Sequence, residues 1–190
     1  MAKKCRVCKS EFEPRRPMQA VCGFACAISY AKTQDEKAKK AVDKKKRAQH
    51  KADKERIKTR GEWIKEAQAA FNSYIRERDF DQTCISCDTP PSAQRHGGQW
   101  DAGHYRSVGS APHLRFNESN CFKQCVRCNR YLSGNHSEYR ARLIKRIGLD
   151  AVTVVECYNV SAPLTIDQIK AIKKKYSKLA RELKKARENG

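Results

Sequence analysis

The spacing of the cysteines constrains the fold of this chain more than any other feature. Eight of its ten cysteines fall into four close pairs. The pairs form two sets, one near the N-terminus with Cys5, Cys8, Cys22 and Cys26, and one in the middle of the chain with Cys84, Cys87, Cys125 and Cys128. Four thiolates complete a tetrahedral zinc shell, and a gap of two or three residues lets the chain present both sulfurs of a pair to one ion. We therefore predict one structural Zn²⁺ in each set, against the alternative of buried or redox-active thiols.

The sequence also bears on the cellular compartment. No stretch approaches the roughly 20 apolar residues of a membrane span, and the N-terminal MAKKCRVCKS lacks the apolar run of a signal peptide. We expect a cytoplasmic protein with no membrane partner. In a reducing compartment, paired cysteines indicate metal and not disulfides. Cys121 and Cys157 have no partner at ligand spacing, so we expect them to be ordinary core or surface residues.

A strong positive charge points to a polyanionic partner. The net charge is +20, with 41 Lys or Arg against 21 Asp or Glu, and nucleic acid is the first candidate. Residues 32–60 contain no Gly or Pro, thirteen Lys or Arg and five Asp or Glu. This composition predicts an exposed basic helix that contacts DNA phosphates, with Lys44, Lys45, Lys46 and Arg47 at its centre. A solvated charged helix without DNA contact is the simpler alternative.

Most of the remaining chain has a helical pattern. Apolar residues recur at helical spacing over residues 62–78 and 166–187, and a short helix is predicted over residues 139–147, ended by Gly148. Between Cys84 and Asn135, glycine and proline are frequent, and short strands are predicted only near residues 99–106 and 113–116. The predicted fold class is therefore α+β and mostly helical.

The central cysteine pairs enclose QWDAGHYRS and LRFNESNCFKQCVRCN, which contain the residue types of a hydrolytic site. A histidine on a strand, an asparagine on a loop and a polar residue at a helix start would make a small ββα-metal finger of the HNH nuclease type, stapled by zinc. In this interpretation His104 is the general base, because a neutral imidazole accepts a proton near pH 7. Asp101 and Asn129 offer the oxygen ligands that Mg²⁺ or Mn²⁺ prefers. In HNH proteins the central asparagine orients the base by fixing the loop, which assigns that role to Asn120.

This interpretation has open alternatives. Many HNH sequences place a metal-binding Asp or His directly before the base, whereas Gly103 stands there and Asp101 lies three residues before His104. His104 could be structural or replace a zinc thiolate, although four cysteines already fill that shell. Asp101 could cap a turn, and asparagines favour turns and helix starts. Asn117 is an alternative to Asn120.

We expect four parts along the chain. They are an N-terminal zinc-binding unit at residues 1–30, a basic helical linker at 31–60, a zinc-stapled HNH-like nuclease domain at 61–157 and a C-terminal helix at 158–190. Arg106, Arg127 and Arg130 lie close in sequence to the proposed centre and are expected to hold the scissile phosphate. Opposite strands of a DNA junction need two active sites, so a homodimer is expected, and the apolar stripe of the C-terminal helix is one candidate contact.

The motifs together resemble the NinG (Rap) recombination endonucleases of lambdoid phages. The resemblance rests on WDAGHYRS, LRFNESN, QCVRCN and SGN, on WIKEAQAAFNSYIRERD followed by CISC, and on LIKRIG, and it covers nearly the whole chain. It implies a structure-specific, metal-dependent nuclease that cuts branched DNA such as D-loops and Holliday junctions, in a bacterial host cell, alongside other phage or host recombination proteins. Two alternatives are a non-catalytic zinc-binding DNA adaptor and a zinc-ribbon regulator of transcription.

Overall fold

A computed structural model describes residues 2–91, 100–160 and 163–189. The chain divides into two compact units, Met1–Lys58 and Thr59–Gly190. None of the helices in the described ranges is both long enough and apolar enough to cross a membrane.

The first unit is a cysteine knuckle followed by a long helix. Strands β1 (Lys3–Lys4) and β2 (Glu11–Phe12) pair antiparallel, and helix α1 spans Phe24–Arg56. Cys26 lies in the first turn of α1, so the helix begins inside the cysteine set and not after it. No residue of α1 is buried, as its charged composition predicts.

Two helices form the frame of the second unit. Helix α2 (Arg60–Arg78) begins at a capping box, in which the Thr59 hydroxyl accepts from the Glu62 N–H and the Glu62 carboxylate accepts from the Thr59 N–H. Helix α5 (Ile166–Asn189) packs along α2. The buried residues of this pair recur at intervals of four or seven positions, which keeps them on one face of each helix, as the sequence pattern predicted: Trp63, Ala67, Phe71 and Ile75 on α2, and Ile169, Tyr176 and Ala180 on α5.

A two-stranded antiparallel sheet packs against α2. Strand β3 spans Trp100–His104 and β4 spans Cys121–Cys125, with His104 opposite Cys121 and Trp100 opposite Cys125. The connecting segment contains two short 3-10 turns, Pro112–Leu114 and Glu118–Asn120. After β4 the chain forms a π-helical turn, Arg127–Tyr131, then helix α3 (His136–Ile147) and helix α4 (Leu149–Cys157).

The mostly helical α+β class is confirmed, with differences in detail. The strand predicted near residues 99–106 is β3, although Gln99 lies outside the described residues. The strand predicted at 113–116 is wrong, since Pro112 opens a 3-10 turn there and the partner of β3 is β4. Helix α4 was not predicted. Of the four expected parts, the boundary at 60 lies near the division after Lys58, whereas the boundary at 30 falls inside α1.

Candidate active site beside a four-cysteine cluster

The central cysteines meet where β4 joins the π-helical turn. Their Sγ atoms all lie within 4.8 Å of one another, and Cys87 Sγ is 3.8 Å from Cys125 Sγ. Four sulfurs that bind one zinc ion at about 2.3 Å would stand about 3.8 Å apart. The N–H groups of Cys125 and Cys128 donate to Cys84 Sγ and Cys125 Sγ, at 3.2 and 3.5 Å. The predicted set of Cys84, Cys87, Cys125 and Cys128 therefore fits one zinc ion.

The N-terminal cysteines form a second cluster of the same kind. The Sγ atoms of Cys5, Cys8, Cys22 and Cys26 also lie within 4.8 Å of one another. Cys22 Sγ is 3.5 Å from Cys8 Sγ and 3.6 Å from Cys26 Sγ, close to the spacing of a zinc shell. Among the described residues, these two sets are the only groups of three or more Cys, His, Asp or Glu with metal-binding geometry.

His104 is the last residue of β3, and its ring faces helix α2. The ring centroid lies 6.1 Å from that of Phe71. His104 Nε2 is 2.9 Å from the Arg115 carbonyl oxygen, and Nδ1 is 3.7 Å from Cys121 Sγ. A carbonyl only accepts, so Nε2 carries the proton and Nδ1 keeps the lone pair. Burial lowers the pKa of His104 below its usual value, and this effect outweighs the hydrogen bond to Arg115, which raises it.

Asn120 holds the loop that contacts His104. It is fully buried, and its Oδ1 accepts from the Arg106 N–H at 2.8 Å. Its Nδ2 donates to the carbonyls of Arg106 and Leu114, at 3.0 and 3.3 Å. Leu114 immediately precedes Arg115, whose carbonyl accepts from His104. Asn120 thus fixes both ends of the loop, whereas the Asn117 side chain accepts from the Ser119 N–H and caps the following 3-10 turn.

Asp101 and Asn129, the two predicted ligands of the catalytic ion, are in contact. Asn129 Nδ2 donates to Asp101 Oδ2 at 2.9 Å, which leaves the amide oxygen of Asn129 outside this bond. Arg130 binds both carboxylate oxygens of Asp101, at 2.7 and 2.8 Å. Burial raises the pKa of Asp101, but the hydrogen bonds from Arg130 and Asn129 outweigh it and lower the pKa. The carboxylate is therefore ionised at neutral pH, and a cation at Asp101 would compete with the Arg130 guanidinium.

The structure does not bring His104 together with the Asp101–Asn129 pair. Side chains alternate along a strand, so Ala102 and His104 share one face of β3 and Asp101 lies on the other. Ala102 packs in the core with Phe71 and Cys121, which places the His104 face toward α2. The candidate base and the candidate metal ligands therefore lie on opposite faces of the sheet.

The proposed DNA contacts differ in their surroundings. Lys44, Lys45, Lys46 and Arg47 are all exposed on α1, and Arg127 is exposed on the π-helical turn. Arg106 is partly buried, and its guanidinium is already hydrogen-bonded within the protein. Its Nη1 donates to the carbonyls of Val155, Glu156 and Tyr158 at the C-terminal end of α4. These carbonyls lack helical partners, so Arg106 caps α4. Of the three arginines near the centre, only Arg127 and Arg130 present exposed side chains.

Sequence reasoning missed two partners of His104. The Arg115 contact uses a backbone carbonyl, for which a side-chain pattern contains no signal. Cys121 was set aside because it lacks a cysteine partner, but it is the residue opposite His104 in the strand register. Burial raises the pKa of the Cys121 thiol, so it stays protonated and can donate to Nδ1. The register of β3 and β4 would have indicated this contact.

The chain was also compared with known proteins. The family model described as Bacteriophage Lambda NinG protein matches residues 1–188. The protein named Protein ninG from Escherichia phage 933W is 42% identical over 196 residues, which cover 97% of this chain and 95% of that protein. The Protein ninG sequences of Escherichia phage lambda and Salmonella phage P22 are 50% and 49% identical over 131 residues, covering 69% of this chain and 62% of each relative. No solved structure matched the chain significantly.

The match extends over both cysteine clusters, the basic helix and the sheet that carries His104. On this evidence the chain belongs to the NinG family of bacteriophage proteins.

Proposed function

We propose that this protein is an endonuclease of the Rap type that hydrolyses phosphodiester bonds in branched DNA, such as D-loops and Holliday junctions. In this proposal β3, β4 and the π-helical turn form an HNH-like finger. The observation that supports it best is the chain of contacts from Asn120 through the 105–119 loop to the Arg115 carbonyl and the His104 ring. A ring held through one nitrogen, with a lone pair on the other, can act as a general base once Nδ1 is released from the Cys121 thiol.

The protonation of His104 suits this role. Its pKa is lowered by burial, so the ring stays neutral below the usual pKa of a histidine. Cleavage that needs the neutral ring is lost as the pH falls through this lowered pKa. The acid limb of the pH–rate profile should therefore lie below about 6.5.

Asp101 and Asn129 are the proposed ligands of a catalytic divalent ion. They offer carboxylate and amide oxygens, which suit Mg²⁺ or Mn²⁺, and their side chains already touch. When bound, such an ion would stabilise negative charge on the phosphoryl group. Asp101 lies on the face of β3 opposite His104, so joint action of the ion and the base on one phosphate requires a rearrangement when DNA binds. Arg130 now occupies both oxygens of Asp101, so DNA phosphate would have to draw Arg130 away before the ion could bind there.

Exposed basic residues are the proposed contacts to the DNA backbone. They lie on α1 at Lys44–Arg47 and on the π-helical turn at Arg127 and Arg130. Phosphate contacts hold branched DNA by its backbone geometry and do not depend on its sequence. Two cuts in opposite strands would require a homodimer. The apolar stripe of α5 packs against α2, so a dimer contact would use another face of the chain.

The test uses zinc-loaded protein with a synthetic four-way junction and a linear duplex of matched sequence, with and without Mg²⁺ or Mn²⁺. We expect divalent-dependent cleavage of the junction and little cleavage of the duplex. His104→Ala should abolish cleavage while junction affinity and zinc content stay at wild-type levels. His136→Ala, which removes an exposed imidazole at the start of α3, is a matched control. Cleavage at the wild-type rate by His104→Ala would contradict the proposed base.

A second candidate function is a non-catalytic zinc-binding adaptor that holds branched DNA for another enzyme. One observation favours it: His104 Nδ1 faces the buried Cys121 thiol, on the side of the sheet opposite Asp101. Junction binding without cleavage under any divalent ion would support the adaptor. Preference for one duplex sequence over the junction would instead support a regulator of transcription.

A further inference from the structure

The second unit contains a cavity of about 740 Å³ beside the loop that holds His104. It is bordered by the start of α2, the 3-10 turn Pro112–Leu114, the end of α4 and the segment before α5. Its walls are largely apolar and include Ile64, Phe116, Val154, Val155 and Leu164. This volume lies within the roughly 300–1,000 Å³ typical of small-molecule sites.

Two guanidinium groups line this apolar cavity. Arg60 Nε donates to the Leu164 carbonyl at 3.1 Å, and Arg115 Nη1 donates to Gln68 Oε1 at 3.3 Å. Both acceptors are uncharged, so neither contact neutralises a positive charge. Burial lowers the pKa of Arg115, and the charge of Arg60 lowers it further, as expected for two cations that share a site. The charge pattern is complementary to an anion that enters with an apolar body.

Aromatic rings flank the same cavity. The rings of His113 and Tyr158 lie 5.6 Å apart between centroids, and His113 Nε2 is 2.7 Å from the Tyr158 carbonyl oxygen. Tyr158 is 46% exposed, and Phe116 adds a third ring to the lining. Flat aromatic surfaces stack on nucleobases whatever their sequence. A nucleobase with its phosphate therefore matches the lining better than an aliphatic anion does.

We propose that this cavity receives the base of one unpaired nucleotide of branched DNA, with an adjoining phosphate bound by Arg60 and Arg115. The inference rests on the proposed function for its substrate class. A base inside a duplex cannot enter a cavity without leaving the stack, and the cost is least for a base that is already unpaired. The displaced strand of a D-loop supplies such bases, whereas a linear duplex does not. The occupied cavity also contacts Arg115, whose carbonyl holds His104, so binding of the nucleotide supports the candidate base directly.

The test is a binding measurement by fluorescence anisotropy with the full-length, zinc-loaded chain and no Mg²⁺ or Mn²⁺. Three DNAs share one sequence: a duplex with a single bulged adenine nucleotide, the same duplex with an abasic bulge, and the fully paired duplex. We expect the adenine bulge to bind roughly tenfold tighter than the abasic bulge, the size expected from stacking one base. Equal affinity for the two bulges would overturn the inference.

Two variants assign this preference to the cavity. Val154→Trp fills the space from an exposed position of α4 and should remove the preference for the adenine bulge without changing affinity for the paired duplex. Thr153→Trp, at the neighbouring exposed position, is its control and should keep the preference. Arg60→Gln should weaken binding of the adenine bulge more than Lys65→Gln, which removes the same charge from an exposed position of α2. Retention of the full preference by Val154→Trp would overturn the inference.

A further measurement distinguishes DNA from a free nucleotide as the ligand of the cavity. If deoxyadenosine monophosphate binds the wild type but not Val154→Trp, while all three DNAs bind equally, the cavity serves free nucleotides and the inference fails. The binding assay is independent of cleavage. Preference for the adenine bulge without any cleavage would support the nucleotide-binding cavity and contradict the proposed nuclease. Junction cleavage without that preference would support the nuclease and contradict the nucleotide-binding cavity.

Discussion

At the scale of single residues, Gly103 shows how tightly the sheet is packed beneath the candidate site. A Cβ atom added at Gly103 would lie 2.1 Å from Gln124 Oε1 and 2.9 Å from Gln124 Cβ. Gln124 cannot move aside easily, because it is fully buried and its Nε2 donates to Ser86 Oγ and the Gly134 carbonyl, both at 2.6 Å. Glycine therefore stands in the position before His104 because no larger residue fits. The same packing leaves no room for a metal-binding Asp or His directly before His104.

The first prediction follows from this packing. Gly103→Ala should lower the free energy of unfolding by about 1–3 kcal/mol, because the new methyl group overlaps a buried side chain that cannot relax. Urea unfolding at constant zinc concentration measures the change. Gly61→Ala is the matched control, since its Cβ would meet only Thr59 Oγ1 at 3.9 Å, and it should leave stability unchanged or raise it by up to about 1 kcal/mol. Equal changes in the free energy of unfolding for the two variants would show that the Gln124 side chain moves aside, which would contradict this prediction.

At the scale of secondary-structure elements, local sequence patterns predicted helices α2, α3 and α5 but not the pairing of the strands. Helices α2, α3 and α5 follow from apolar periodicity and from the stop at Gly148, which act within a few residues. The pairing of β3 with β4 depends on contacts about 20 residues apart, which a local pattern does not contain. The cysteine spacing nevertheless predicted both clusters, because two or three residues between thiolates fix their geometry locally.

The candidate site was predictable only in part for the same reason. The Asp101–Asn129 contact and the loop contacts of Asn120 place these residues in local hydrogen-bond networks, but not around one centre with His104. The orientation of His104 toward Cys121 and the capping of α4 by Arg106 depend on which face of a strand meets the core. That choice is made by tertiary packing, and residue type alone does not indicate it.

The second prediction concerns the two cysteine clusters, around which we expect bound zinc to stabilise the fold. Apparent binding free energies of structural zinc reach about 10–16 kcal/mol in small peptides, comparable with the stability of a whole domain. Cys84→Ser should therefore lower zinc from two ions per chain to one and unfold much of the second unit, because the two central cysteine pairs are no longer joined. Cys5→Ser should lower zinc equally but leave the second unit folded.

Zinc content by mass spectrometry and near-ultraviolet circular dichroism separate these outcomes. The dichroism reports mainly on the second unit, since both tryptophans, Trp63 and Trp100, lie there. Cys157→Ser is the control, because Cys157 is exposed and belongs to neither cluster. Two zinc ions retained by Cys84→Ser would rule out the central site as proposed.

At the scale of the whole molecule, the basic segment and the hydrophobic core lie in different parts of the chain. The second unit contains the buried clusters around Phe71, Trp63 and Tyr139, whereas α1 extends over 33 residues without a buried side chain. A helix that buries nothing gains little from tertiary packing. Its run of basic residues therefore does not contribute to the core, and we propose that it contacts DNA.

The last prediction tests whether α1 contacts DNA, by measuring how DNA affinity depends on salt concentration. Each phosphate contact by a basic residue adds about 0.9 to the slope of log affinity against log salt concentration for duplex DNA. Replacing Lys44, Lys45, Lys46 and Arg47 together by alanine keeps the helix, so the slope should fall by as much as about 3.6, equally for junction and duplex. A matched variant removes four exposed lysines of α5, Lys174, Lys178, Lys184 and Lys185, and changes the net charge by the same amount. A smaller slope in the α1 variant alone assigns the phosphate contacts to α1. The wild-type slope in that variant, with a reduced slope in the α5 variant, would move the DNA surface to α5 and leave α1 as a solvated helix.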